Sequence, residues 1–279
     1  RTSKIESKIE PMWAGHTSYS VMPADDAYMF KLPKGIDPAA ASLLCLPAVG
    51  YHGAVEVMPV QKGEHVAVIG VGMIGQFSAQ SAMLAGGKVI AIACWDNNDK
   101  KSYTFRKKEG LDIEKMVTIK DSFGTIDKEK ARQLGCEVLD GDAWIAQEVD
   151  ILLPCALENQ ITPVTFAKVS DKVRVLCEGA NGPTTPDCDE LIKARNIYLV
   201  PDFLCNAGGV TCSYFEQVQC NTNYFWSREE VLEKLDFKMT SAFHAVHKLA
   251  REKGLYMRDA AYVIAINRVA QAAKLRGWV

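Results

Sequence analysis

The sequence lacks the marks of several protein classes. No uninterrupted apolar run approaches the roughly 18 residues that a transmembrane helix needs. Residues 1–10 are polar and mixed in charge, without the apolar core of a secretory signal. We therefore expect a soluble chain with no membrane partner. Because it begins with Arg1 rather than Met, we expect a processed product or a part of a longer protein.

An excess of charge of one sign is also missing. The 32 Lys and Arg residues are nearly matched by 34 Asp and Glu residues, and the formal net charge is −2. The basic residues are dispersed and form no stripe that could follow the phosphates of a nucleic acid. The sequence therefore predicts no nucleic-acid partner.

Cysteine is present, but not in a pattern that indicates disulfides or zinc. The nine cysteines form no C-x-x-C pair and lie mostly inside apolar runs, which favours a reducing, cytoplasmic location. His244 and His247 lie three residues apart, with no third ligand in view. Packed or solvated helix residues therefore explain the two histidines better than a zinc site does, and we expect no metal.

The most informative feature present is a glycine turn between a predicted strand and a predicted helix. The apolar run 66–69 leads into Gly70, Gly72 and Gly75, in the spacing G-x-G-x-x-G, and a helical pattern follows over 74–84. In dinucleotide-binding folds the first glycine permits the turn, the second lets the backbone approach a pyrophosphate, and the third lets helix and strand pack closely. A structural turn is the alternative, but the strand–helix–strand context favours a cofactor site.

One part of the dinucleotide pattern is out of place. The acidic residue that binds the adenosine ribose should end the second strand, which we predict over 89–93. Ala93 and Cys94 stand there instead, and the nearest acid is Asp96. Asp96 either bends back to the ribose or is a loop residue, so the choice between NAD and NADP stays open.

Alternating strands and helices predict the fold class. We expect an α/β fold with a doubly wound parallel sheet, Rossmann-like, followed by C-terminal helices. Residues 100–110 are charged and aperiodic and are predicted to form a loop. The other predicted elements are a helix over 37–58, a helix near 111–120, and strands near 137–139, 150–154, 173–177 and 197–200.

The predicted organisation has three parts, which are a lead-in segment (1–60), a dinucleotide-binding domain (61–205) and a helical segment that packs back on it (206–279). In the last part, Ser227 and Glu230 form a capping box, an apolar stripe follows, and Gly254 ends the helix. The final helix, from 258 to about 275, is apolar around much of its circumference, so we expect it to be buried.

Two loops after predicted strands carry asparagine. In an open parallel sheet the ligand lies at the carboxyl ends of the strands, where Asn181 could bond a nicotinamide ribose. An ordinary Asn-Gly turn is the alternative. Asn206 and the glycines after it open another helix, whose amides could face an anion or a carboxamide, unless the glycines only allow close packing. Ser213, one helical turn beyond Gly209, could reach a carboxylate.

From about residue 88 onward the sequence resembles the cofactor-binding half of the glutamate, leucine, phenylalanine and valine dehydrogenase family. The resemblance is carried by residues 151–162 (ILLPCALENQIT), 177–192 (CEGANGPTTPDCDELI), 200–219 (VPDFLCNAGGVTCSYFEQVQ) and 260–278 (AAYVIAINRVAQAAKLRGW). It implies NAD or NADP as cofactor and an amino acid or 2-oxo acid as substrate. Ala156, Asn181 and Asn206 would then lie near the nicotinamide, and Val210 and Ser213 would line the side-chain pocket, where a serine suits a glutamate γ-carboxylate.

The candidate cofactor contacts are Gly70, Gly72, Met73, Ile74, Gly75, Asp96, Cys155, Ala156, Asn181 and Asn206, and the candidate substrate contacts are Asn206, Val210 and Ser213.

Residues 32–87 instead resemble the zinc-type alcohol dehydrogenase (medium-chain) superfamily, which implies a chimera or fusion with a crossover near 87–93. The amino-acid dehydrogenase family uses a catalytic Lys and Asp on a separate N-terminal domain, and nothing like its glycine-flanked lysine motif stands in residues 1–65. We therefore assign no catalytic residues. Three hypotheses remain, namely a glutamate-type dehydrogenase represented by its cofactor-binding half, a dinucleotide-binding module without turnover, and a truncated zinc-type alcohol dehydrogenase.

Overall fold

The structure, a computed structural model, describes residues 60–70, 72–121 and 124–278. Its strands are β1 (His65–Ile69), β2 (Lys88–Asp96), β3 (Lys101–Arg106), β4 (Glu137–Asp140), β5 (Ile151–Pro154), β6 (Val175–Cys177) and β7 (Tyr198–Val200). They form one sheet in the order β4-β3-β2-β1-β5-β6-β7. The strands from β2 through β1, β5 and β6 to β7 pair in parallel, whereas β3 runs antiparallel to β2 and β4.

Helices connect and flank these strands. They are α1 (Met73–Leu84), α2 (Ile113–Thr118), α3 (Lys128–Gln133), α4 (Pro163–Phe166), α5 (Asp189–Ala194), α6 (Asp202–Cys205), α7 (Ala207–Thr222), α8 (Arg228–Lys253) and α9 (Met257–Leu275). The predicted capping box is confirmed, since Ser227 Oγ accepts from the Glu230 N–H at 3.2 Å and the Ser227 N–H donates to Glu230 Oε2 at 2.8 Å. Gly254, at φ 62°, ends α8 as predicted.

The sheet has an apolar core on both faces. Val66 and Val68 of β1 pack with α1, α8 and α9 on one face, whereas Ala67 and Ile69 pack with residues such as Trp144 on the other. Central parallel strands covered on both sides read as continuous apolar runs, which is why β1 and β5 were visible in the sequence. The architecture is a mostly parallel mixed sheet with helices, of the Rossmann-like α/β class that the sequence predicted.

The loop predicted over 100–110 is wrong for residues 101–106, which form β3. Tyr103, Thr104 and Phe105 have the aromatic and β-branched side chains that strands favour, and Phe105 is fully buried. Because Lys101 and Arg106 flank this short stretch, its strand character is difficult to recognise in the sequence. The chain therefore returns from β2 by a hairpin instead of a crossover helix.

The predicted burial of the last helix is also wrong for most of its length. Met257, Ala260 and Ala261 are at most 5% exposed, because the first turns of α9 pack on β7 and α8. Ile266 and Val269 are 63% and 71% exposed.

Within the part of the chain that the structure describes, no helix has the length and apolar character that a membrane span requires. The predicted helix over 37–58 and nearly all of the lead-in segment lie outside the described residues.

Candidate functional site

The glycine turn lies at the carboxyl end of β1, between β1 and α1. Gly70 has φ +99°, which favours glycine, and its N–H donates to the Ala93 carbonyl of β2 at 2.8 Å. A Cβ added to Gly70 would stand 3.0 Å from the Cα of Ala156, just after β5. The turn is thus fixed against both neighbouring strands.

The other two glycines have opposite surroundings. A Cβ added to Gly75 would lie 1.8 Å from the Gly70 carbonyl oxygen, so only glycine lets α1 approach the turn. Gly72, the N-cap of α1, is exposed, and among the described residues, its chain neighbours aside, no heavy atom lies within 4 Å of its ideal Cβ position. The first N–H groups of a helix have no acceptor inside the helix and carry partial positive charge. This open approach to the start of α1 fits a bound anion such as a pyrophosphate.

Met73 and Ile74 supply the first residues of α1. Their side chains lie outside the described part of the structure. Any contact that they make with a cofactor stays a prediction based on their place in the turn.

The strand that precedes Asp96 is longer than predicted. β2 continues past Ala93 to Asp96, so an acid does stand at the carboxyl end of the second strand and is no loop residue. Asp96 is 3% exposed, and each carboxylate oxygen already accepts a hydrogen bond, one from Lys128 Nζ at 2.6 Å and one from the Asn98 N–H at 2.8 Å. The hydrogen bond from Lys128 holds the pKa of Asp96 below its usual value.

The two candidate residues after β5 differ in position. The Cys155 thiol is buried, lies 3.7 Å from Ser78 Oγ, and has its pKa raised by burial to about 12. A thiol so placed faces the core and stays protonated. Ala156, by contrast, is exposed at the sheet edge beside Gly70. Ala156 therefore lies at the candidate site, whereas the Cys155 side chain does not reach its surface.

The two asparagines predicted from separate loops are brought together. Asn206 Nδ2 donates to Asn181 Oδ1 at 2.7 Å and to the Gly179 carbonyl at 3.4 Å. They meet because β6 and β7 are adjacent parallel strands, whose following loops emerge at the same edge. Their amide groups thus form one polar surface at the carboxyl edge of the sheet, directly after β6 and β7. The glycine turn follows β1 and lies at the same edge of the same sheet.

A buried ionic cluster, which sequence reasoning missed, supports these loops. Glu178, directly after β6, is 0% exposed and accepts hydrogen bonds from Arg258 Nη1 at 2.9 Å and Nη2 at 2.8 Å. Arg258 Nε also donates to Asp189, at 3.1 Å to Oδ2. Burial raises the pKa of Glu178, and the hydrogen bonds from Arg258 oppose that shift. A glutamate after an apolar strand was the only local signal.

The cluster continues into the asparagine loop. The Asp202 N–H donates to Glu178 Oε2 at 2.9 Å, and Asp202 Oδ2 accepts from the Gly182 N–H at 2.8 Å. Gly182 directly follows Asn181. The position of Asn181 is therefore linked through Asp202 and Glu178 to Arg258 at the start of α9.

The candidate substrate residues lie on α7, directly after Asn206. Val210 is 70% exposed, and Ser213 is exposed with its Oγ donating to the Gly209 carbonyl at 3.2 Å. Residues three apart share one helix face, so both can contribute to one pocket wall.

His247 Nδ1 lies 2.7 Å from Tyr198 Oη. The described residues contain no cluster of three or more His, Cys, Asp or Glu that could hold a metal ion.

Comparisons with known proteins place this chain in a family. The model of the Glutamate/Leucine/Phenylalanine/Valine dehydrogenase family matches residues 50–277. The NAD-specific glutamate dehydrogenase of Clostridioides difficile is 41% identical over 218 residues, which are 78% of this chain and 50% of that protein. The chain thus spans about half the length of the curated relatives that it matches.

Two solved structures agree with this match. The glutamate dehydrogenase of Peptoniphilus asaccharolyticus superimposes with a TM-score of 0.65 and 32% identity, covering 84% of this chain and 54% of that one. The hetero-hexameric glutamate dehydrogenase of Thermus thermophilus gives a TM-score of 0.70 at 26% identity, covering 83% and 53%. By its sequence over residues 50–277, this chain belongs to the Glutamate/Leucine/Phenylalanine/Valine dehydrogenase family.

Proposed function

We propose that the chain binds a nicotinamide dinucleotide, NAD(H) or NADP(H), across the carboxyl edge of the sheet. The observation that carries the proposal is the contrast between Gly75, where an added Cβ would meet the Gly70 carbonyl, and Gly72, which is exposed and has no described residue other than its chain neighbours close to its ideal Cβ position. Gly70, Gly72 and Gly75, with the N–H groups of Met73 and Ile74, would hold the pyrophosphate. Ala156, Asn181 and Asn206 would lie at the nicotinamide end. The names of the relatives, NAD-specific glutamate dehydrogenases, favour NAD(H) of the two.

The reaction that we propose is that of an amino-acid dehydrogenase of glutamate type, with this chain as its cofactor-binding half. The bound dinucleotide would supply hydride transfer. Ser213 would bond the side-chain carboxylate of the substrate, and Val210 would contact its apolar stem. The linked Asn181 and Asn206 amides would orient the groups beside the nicotinamide.

A binding module without turnover is the second candidate function. Val210 is 70% exposed, so the proposed pocket wall is open to solvent in the described part of the chain. A substrate held against one wall in open water gains little orientation or exclusion of solvent. We therefore expect the chain alone to bind the cofactor without rapid turnover. A rate of NADH oxidation that requires both 2-oxoglutarate and ammonium would contradict this expectation and favour the full dehydrogenase function.

We also propose an origin by fusion, a homo-oligomeric state and a cytoplasmic location. The resemblance of residues 32–87 to zinc-type alcohol dehydrogenases would make the chain a fusion, and a truncated alcohol dehydrogenase predicts NADH oxidation with an aldehyde alone. Exposed apolar residues of α9 favour a homo-oligomer. The described cysteines other than Cys212 are free thiols, and most of them are buried, which suits the cytoplasm.

The glycine turn can be tested by changing its charge and shape separately. Gly72→Asp places a carboxylate where the pyrophosphate would lie and should abolish binding of NADH in calorimetric titration, with an unchanged far-UV circular dichroism spectrum. Gly72→Ala adds only a methyl group and should weaken binding less. Gln133→Glu, at the end of α3, adds the same charge on an exposed surface and should leave affinity unchanged. Unchanged affinity in folded Gly72→Asp would remove this site.

A further inference from the structure

A single residue bonds the backbone of both asparagine loops. Asp202 is the first residue of α6, and its Oδ2 accepts a hydrogen bond from the Gly182 N–H at 2.8 Å. The Asp202 carbonyl accepts another from the Asn206 N–H, also at 2.8 Å. Gly182 directly follows Asn181. Asp202 therefore ties together the two segments whose side chains would orient the nicotinamide end of the cofactor.

The Asp202 side chain is itself held in place. Its own N–H donates to Glu178 Oε2 at 2.9 Å, and Arg258 Nη1 lies 3.6 Å from Asp202 Oδ1. The Asp202 and Arg258 side chains are 19% and 14% exposed, whereas Gly182 is exposed. Hydrogen bonds to a carboxylate are roughly twice as strong as those between neutral groups. The carboxylate thus gives the exposed loop a fixed and strong anchor.

Other bonds of the loop do not depend on this carboxylate. The Ala180 N–H donates to the Pro154 carbonyl at 2.9 Å, and the Gly182 carbonyl accepts from the Asn159 N–H at 2.9 Å. The backbone bonds of Asp202 would also remain if only its side chain were removed. Gly182 has φ +53°, and a glycine released from its anchor has many conformations to choose from. Loss of the carboxylate should therefore loosen the peptide group before Gly182 without unfolding the loop.

We propose that Asp202 is a positioning residue for the nicotinamide end of the site, which acts by fixing the peptide between Asn181 and Gly182. The inference rests on the proposed function, because it assumes that a dinucleotide binds at the carboxyl edge of the sheet. Without the carboxylate, the bound cofactor has to order this peptide, and that ordering lowers its affinity. The effect is confined to the nicotinamide end, because the glycine turn is fixed separately, by the bond from Gly70 to Ala93 of β2.

The test compares NADH with ADP, which keeps the adenosine and the pyrophosphate but lacks the nicotinamide and its ribose. Calorimetric titration of the full chain gives a Kd for each ligand. Asp202→Ala should raise the Kd of NADH about tenfold, the lower end of what a hydrogen bond to a charged group contributes. The Kd of ADP should change less than about twofold, whereas a merely structural role would raise both values. The far-UV circular dichroism spectrum should be unchanged.

Two further variants complete the test. Asp202→Asn keeps an oxygen that can accept from the Gly182 N–H, so it should raise the Kd of NADH by only about threefold. Asp150→Ala is the matched control, because Asp150 Oδ2 accepts the His65 N–H at 3.0 Å. Asp150 directly precedes β5 and so lies at the opposite, amino edge of the sheet. Its removal should leave both Kd values within about twofold.

The outcomes separate this inference from the function beneath it. A folded Asp202→Ala variant that raises both Kd values equally, or neither, overturns the role of Asp202 while the binding of NADH by the unaltered chain still stands. If Asp202→Ala does not fold, Asp202→Asn decides the question, and an equal or absent change in the two Kd values there overturns the inference. An unaltered chain that does not bind NADH overturns the proposed function and the inference with it.

Discussion

Replacing Arg258 by methionine should destabilise the protein strongly, because it leaves a buried carboxylate without its cation. Arg258 donates two hydrogen bonds to Glu178, at 2.8 and 2.9 Å, and its Nε bonds Asp189. Methionine keeps much of the apolar stem, so the loss is mainly electrostatic. Breaking a buried pair by removal of one partner costs about 3–5 kcal/mol. We expect a loss of this size in the free energy of unfolding at pH 7.

The loss should depend on pH in a definite direction. Burial already raises the pKa of Glu178, and removal of Arg258 takes away the group that opposes this shift. In the variant the folded state therefore holds a proton on Glu178 at pH values where an unfolded glutamate, with a pKa of about 4.3, is ionised. A folded state that binds more protons loses stability as pH rises through that window and keeps it below. The deficit of the variant relative to the unaltered protein should therefore shrink at pH 5.

The assay is urea unfolding followed by far-UV circular dichroism at pH 7 and pH 5. The control is Lys172→Met, because Lys172 pairs with Glu148 at the surface, where the two side chains are 61% and 74% exposed. Exposed pairs contribute about 1 kcal/mol or less. A cost for Arg258→Met no greater than that of the control, or a deficit that does not shrink at pH 5, would refute the reasoning about the buried cluster.

Three further predictions concern packing, thiol chemistry and association. Gly75→Ala should lower the free energy of unfolding by about 2–3 kcal/mol, because its methyl group would overlap the Gly70 carbonyl; equal urea midpoints for Gly75→Ala and Gly72→Ala would contradict this. Cys155 should resist iodoacetamide at pH 8 in the folded protein, whereas the half-buried Cys220 should react first, since burial raises the pKa of Cys155 to about 12; mass spectrometry that finds Cys155 labelled before Cys220 would contradict this prediction. The chain should self-associate in light scattering, and Ile266→Lys should reduce the association; a sharp monomer peak for the unaltered chain would count against it.

The sequence predicted those parts of the fold whose signals are local. A few consecutive residues are enough to recognise the buried runs of β1 and β5, the glycine turn and the capping box at Ser227. The strand β3 did not, because three strand-forming residues between charged ends are too few to show a period. The turn-forming residues after β2 indicate a hairpin, but the many charged residues in this segment favoured the interpretation as a loop.

The candidate site shows the same division. Asn181 and Asn206 could be named from the family resemblance, but their hydrogen bond depends on the adjacency of β6 and β7. The bond between Glu178 and Arg258 joins residues 80 positions apart, and neither residue type is unusual where it stands. Long-range pairs of this kind become visible only when the topology is known.

The hairpin between β2 and β3 has a consequence for how such a protein can change. In a fully doubly wound sheet, the chain beyond the second strand enters a helix that must repack when the connection is altered. Here residues 97–100 form a short surface turn instead, and surface connections vary more freely than packed helices. Substitutions in this turn can therefore alter the surface beside the proposed coenzyme site with less effect on folding than changes in a packed helix.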